Sequence, residues 1–110
     1  MRTHTIYIGV VDSKIGYWDQ NRQPAKQKRA RRKERIAWES MSGEEDFTVD
    51  FGAAWPFGGA PTVLSSTNGS IPPHTVDDQA RLAPPYKYTV NILPSGPTED
   101  PEIIIDPASD

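Results

Sequence analysis

Two segments of this chain alternate apolar and polar residues strictly, and only a β-sheet with one buried face satisfies such a pattern. They are Phe47-Thr48-Val49-Asp50-Phe51 and Tyr86-Lys87-Tyr88-Thr89-Val90, with the period of two that sends successive side chains to opposite faces. Ile92 extends the second face. Eleven prolines and eight glycines in 110 residues break the remainder into short pieces, which favours brief strands joined by turns. A chain of this length makes one core, with a folded radius of gyration of about 13 Å.

Other strands are expected around these two. Thr5 to Val11 places Ile6, Ile8 and Val10 on one face. Asp12 to Gln23 reads as polar loop. Ile36 and Trp38 begin a strand that ends at the turn-rich Ser42-Gly43-Glu44-Glu45-Asp46. Trp55-Pro56-Phe57-Gly58-Gly59 reads as a bend with aromatic anchors, and Thr62 to Ser66 as a short strand. Thr67-Asn68-Gly69-Ser70 is a strong turn signal. Ile71 to Pro85 reads as an irregular proline-rich loop, with Val76 and Leu82 pinned to the core. Pro94-Ser95-Gly96-Pro97 makes a turn, and Glu102 to Asp106 a final buried strand. Six or seven short strands without an amphipathic helix predict an all-β, Greek-key β-sandwich, antiparallel or mixed. The predicted organisation is one domain over 1–110, with a polar and basic segment at 12–35 and the proline-rich loop at 71–85.

The net charge of −3 conceals an asymmetry. Residues 22–35 carry eight Lys or Arg against Glu34, a sum of +7. Residues 39–110 carry Arg81 and Lys87 against twelve carboxylates, a sum of −10. A molecule polarised this way can orient toward a charged partner or toward itself. The chain has no cysteine, which excludes disulfides, thiol nucleophiles and metal–thiolate bonds. No stretch approaches the length of a membrane span. Met1 to Ile8 reads as a first strand rather than a signal peptide, so the expectation is a cytoplasmic protein with no membrane partner.

Residues 36–106 resemble the cupredoxin-like fold. Cupredoxins run an apolar-x-aromatic strand into a loop and then a strand opened by a copper-binding histidine. Ile36-Ala37-Trp38, the loop to Asp46 and Phe47 to Phe51 follow that order, with Phe47 where the histidine would stand. The aromatic-rich strand Tyr86 to Val90 is similar to the one that ends in the ligand cysteine, with Val90 near that position. The following Asn91 to Pro101 contains neither histidine nor methionine. The resemblance implies a cupredoxin-like sandwich whose metal ligands are replaced by packing side chains. An immunoglobulin-like sandwich is the alternative architecture.

No catalytic signature is present, and no cofactor is called for. His74, in Pro72-Pro73-His74-Thr75-Val76-Asp77-Asp78, fits a stiffened polar loop better than an acid/base pair. Glu44, Glu45, Asp46 and Asp50 match no calcium-loop spacing. Asn68-Gly69-Ser70 formally fits a glycosylation acceptor and reads better as a turn. The expected function is a non-enzymatic, metal-free interaction module with a protein partner. Its expected partner-binding residues are Trp55 and Phe57, if the bend leaves them exposed, with Arg29, Arg31 and Arg32. The alternatives are anion or nucleic-acid binding through 26–35, with Tyr17 and Trp18 near enough to stack on bases, and a metal-binding or redox protein.

Overall fold

Strands and their turns account for the described residues of the computed structural model, 2–43, 45–93 and 96–107, with no helix among them. The strands are β1 (Thr3–Val11), β2 (Lys14–Trp18), β3 (Gln27–Arg31), β4 (Arg35–Ser40), β5 (Phe47–Asp50) and β6 (Leu64–Ser65). They continue with β7 (Ser70–Thr75), β8 (Tyr86–Lys87), β9 (Thr89–Ile92), β10 (Thr98–Glu99) and β11 (Glu102–Asp106). One layer has the order β2-β1-β4-β7. The other joins two ladders, β3-β11-β8 and β10-β9-β5-β6. They meet at Tyr88, which separates β8 from β9 and donates its backbone N–H to Pro101 at 3.0 Å. The pairs β1–β4 and β3–β11 are parallel, and the other pairings are antiparallel.

The core lies between the layers. Ile6, Ile8, Ile36, Trp38 and Ile71 from one meet Phe47, Val49, Tyr88, Val90, Ile103 and Ile105 from the other. Phe47, Val49 and Phe51 are buried while Thr48 and Asp50 are half-exposed, as alternation requires. Tyr86, Tyr88, Val90 and Ile92 form one buried face, although the strand changes partner midway.

Four expectations are corrected. Asp12 to Gln23 is not all loop, because β2 buries Ile15 and Tyr17. Its turn is the two-residue Asp12-Ser13, both at positive φ (52° and 64°), the geometry that closes a hairpin. The proline-rich stretch begins as strand β7, paired with β4. Pro72 and Pro73 are tolerated because β7 is an edge strand and the register shifts between its pairings with Ile36 and Trp38. Leu82 is exposed. Arg81 organises that loop instead, reaching the carbonyls of Pro84 and Pro85 and lying 4.4 Å from the Tyr86 ring centroid. Ala80 and Val76 take the buried positions. Val10 leaves the face of Ile6 and Ile8 and is exposed, since it sits at the end of the sandwich beside the Asp12-Ser13 turn.

The parallel pairing of β1 with β4 sorts the connections. At one end, Ser40 N–H donates to Gly69, Met41 N–H to Ile8 and Leu93 N–H to Asp46. At the other, Arg35 N–H donates to Arg2, Arg32 N–H to Asp106 and Val76 N–H to Glu34. The first end carries apolar exposed residues, and the second carries most of the basic segment.

Candidate functional site

The two positions that the cupredoxin pattern assigns to metal ligands, Phe47 and Val90, lie on neighbouring strands, two pairs apart along the ladder. Antiparallel pairing of β5 with β9 sets Phe47 opposite Ile92 and Val49 opposite Val90. Phe47, Val49 and Val90 are fully buried, so this corner of the fold is apolar core. Asp46 anchors the strand entry by accepting from Ser66 Oγ at 2.7 Å and Gly69 N–H at 3.0 Å. Those two donors hold its carboxyl below the usual aspartate range. Among the described residues no group of three or more His, Asp or Glu gathers in a metal-holding arrangement. Glu44, one of the carboxylates weighed for calcium, lies outside the described residues.

Trp55 and Phe57 are half-buried and close one end of the core. Their ring centroids are 5.2 Å apart, nearly perpendicular, and both contact Phe51 edge-on. Trp55 Nε1 donates to the Gly58 carbonyl at 2.7 Å, which ties the bend to itself. Phe57 also meets Trp38 and the His74 ring. His74 Nδ1 lies 2.8 Å from the Pro72 carbonyl, so that ring braces the bend.

The basic segment is edge strand β3 and the turn that follows it. Three of its eight cations form ion pairs among the described residues. Lys26 meets Glu99 at 2.8 Å, Lys28 meets Asp19 at 3.5 Å, and Arg29 meets Asp106 at 3.0 Å. Glu99 raises the Lys26 ammonium above its usual value through that hydrogen bond. Arg32 Nε donates to the Ala80 carbonyl at 2.7 Å, so its head serves structure. Arg31 is exposed, and its guanidinium has no hydrogen bond or short ion pair among the described residues.

A surface unmarked in the sequence lies on the outer face of β1 and β2. Gly9 and Gly16 are cross-strand partners, and the Trp18 ring rests over both. A Cβ on Gly9 would come within 3.2 Å of that ring, and one on Gly16 would overlap it. Tyr7 stands directly opposite Trp18. Beside them, Val10, Val11, Trp18 and Met41 line a cleft of about 190 Å³ with Ser42 and Glu45. Val11 is 54% and Met41 44% exposed. The available signal was the pair of glycines in register around a hairpin, which only a recognised β2 would reveal.

At the opposite end, His4 is buried and its Nε2 lies 2.8 Å from Glu34 Oε1. The carboxylate can only accept, so Nε2 carries the proton. Arg31 N–H donates to the same oxygen at 2.8 Å. Burial alone would raise the Glu34 carboxyl, but the His4 ring and the Arg31 N–H outweigh it and hold the group below the usual glutamate range. A depressed carboxyl stabilises the fold above its unfolded value of 4.5, and that share is lost as pH falls through the lower folded value. Glu34→Gln should therefore cost about 1–3 kcal/mol at neutral pH and flatten the loss of stability between pH 5 and 3. Urea denaturation across that range reads it, and parallel pH profiles for the two proteins would refute the assignment.

No family model matches the chain, and no curated protein resembles it in sequence. Among solved structures it is similar to an oxidized mutant of amicyanin, at 10% identity and a TM-score of 0.52 over 93% of this chain and 82% of that one. It is also similar to a multicopper oxidase from the hyperthermophile Aquifex aeolicus, at 16% identity and a TM-score of 0.45. There it covers 96% of this chain but spans only 27% of the oxidase. The amicyanin match over nearly the whole chain agrees with the two-layer topology: the protein has the cupredoxin-like fold, with Phe47 and Val90 packed where the pattern would place copper ligands.

Proposed function

We propose that this protein is a non-enzymatic, metal-free interaction module that docks a protein partner at the end of the sandwich formed by Val10, Val11, Trp18 and Met41. The observation that carries this reading is the cleft itself. Three exposed apolar side chains converge beside a tryptophan seated on a glycine floor. Exposed apolar clusters of this kind, walled by an aromatic ring, suit an inserted apolar side chain. Glu45 borders the cleft, and residues 39–110 sum to −10, so the fitting partner brings an apolar prong with a basic rim. A blue-copper redox role would need a thiolate, and the chain contains no cysteine.

The test is proximity labelling in cells with the wild-type chain and two double variants. Val11→Asp with Met41→Asp should lose the wild-type partner while changing stability by only about 0.5 kcal/mol, as exposed substitutions do. Arg29→Ser with Arg31→Ser should retain it. A partner lost with the arginines and kept by the apolar variant would overturn the reading.

A further inference from the structure

The basic segment and the chain start enclose a second cleft, of about 220 Å³, at the end of the sandwich away from Met41. It lies between the free edge of β3 and the beginning of β1. Arg2, Lys28, Arg29 and Arg31 line it, with Glu34, Asp106 and the buried His4. Four cations against two carboxylates leave a local positive surplus in a protein of net charge −3.

Both carboxylates are already satisfied. Glu34 accepts from His4 Nε2 and from Arg31 N–H, and Asp106 is held by Arg29 at 3.0 Å. Lys28 leans away toward Asp19 at 3.5 Å. The side chains of Arg2 and Arg31 are held in no hydrogen bond or short ion pair among the described residues, and both border this one cleft. The donors here already hold an oxyanion of the chain's own, since the Glu34 carboxylate sits on a backbone N–H of the β3 edge.

We infer that this cleft binds a single phosphate group, presented as the free ion or as a small phosphate monoester, between the guanidinium forks of Arg2 and Arg31. The planar fork of arginine matches phosphate oxygens bidentately, and two such forks at one cleft can together satisfy a tetrahedral dianion. A nucleic-acid backbone fits less well. It needs a track of free cations, and Lys26, Lys28, Arg29 and Arg32 are each taken by Glu99, Asp19, Asp106 and the Ala80 carbonyl. The volume also suits one tetrahedral group rather than a run of them. This inference stands apart from the apolar cleft, with which it shares no residue.

Titration of the intact protein with inorganic phosphate, against chloride at matched ionic strength, tests it by calorimetry and thermal shift. Phosphate should raise the melting temperature saturably, as a ligand selective for the folded state does, and chloride should not. Arg31→Ser should weaken binding about tenfold or more, the loss of one charge-assisted contact, and Arg2→Ser similarly. Arg22→Ser, which lines a different cleft, should leave binding unchanged. All three positions are exposed, so the variants should fold. A free phosphoserine arm separates the sources: binding at least as tight as phosphate assigns a monoester, and phosphate alone assigns the free ion. Indifference between phosphate and chloride would overturn the inference. So would unchanged binding in the Arg2, Arg31 double variant, or far tighter binding of a 20-mer oligonucleotide with a steep salt slope.

Discussion

Val90→Asp lowers the unfolding free energy by about 3 kcal/mol or more, the penalty for burying a carboxylate with no partner. Val90 is fully buried, opposite the equally buried Val49 and two pairs along from Phe47. None of these neighbours offers a side-chain donor, and the backbone groups of a central strand are engaged in its ladders to β5 and β10. A domain this size holds only about 5–15 kcal/mol in total, so the variant loses a large part of it. Lys87→Ser, three residues earlier on the exposed face, should change stability by less than about 1 kcal/mol. Urea denaturation with matched m-values measures both. Equal losses would mean that the register of β9 in the core is wrong.

Trp38→Ala should cost about 3–5 kcal/mol, the range for removing a large aromatic from a packed core. The ring is fully buried and meets Phe51, Phe57 and Tyr88 at centroid distances of 6.2, 6.0 and 5.6 Å. These contacts are edge-on, the arrangement that adds to area burial for aromatic pairs. Trp38 Nε1 also donates to the Tyr88 hydroxyl at 3.3 Å. Tyr88→Phe therefore strands a buried N–H and should cost about 1–3 kcal/mol. In a Trp38→Phe background the same Tyr88→Phe change should cost markedly less, because the donor has gone. A full cost in both backgrounds would show that the hydrogen bond carries no share.

The strands that announced themselves in the sequence share one property: each has a buried face against an exposed one. Phe47 to Phe51 and Tyr86 to Ile92 carry their apolar residues at every second position, and the core takes those residues. Strand β2 is not legible in the sequence because Gly16 stands between Ile15 and Tyr17, leaving only two alternating apolar residues. Strand β7 is not legible in the sequence because Pro72 and Pro73 argue against a strand, except at an edge where the missing N–H is not needed. The basic segment was legible as charge but not as a set of pairs. Lys26 and Glu99 lie 73 positions apart, and Arg29 and Asp106 lie 77; no local pattern links them.

Sequence alone determined that the protein is built of short strands, which face of the clearest strands is buried, and that no thiolate can serve a metal. Those follow from side-chain period, turn chemistry and the residue inventory, which are local or additive. Only the tertiary structure decided which charged and aromatic groups remain available. Trp55 and Phe57 became the cap of the core, and Arg32 was drawn to a backbone carbonyl, while Arg31, Val11 and Met41 were left facing outward. Availability is what remains after distant partners have met, and it is fixed by which strands lie beside one another.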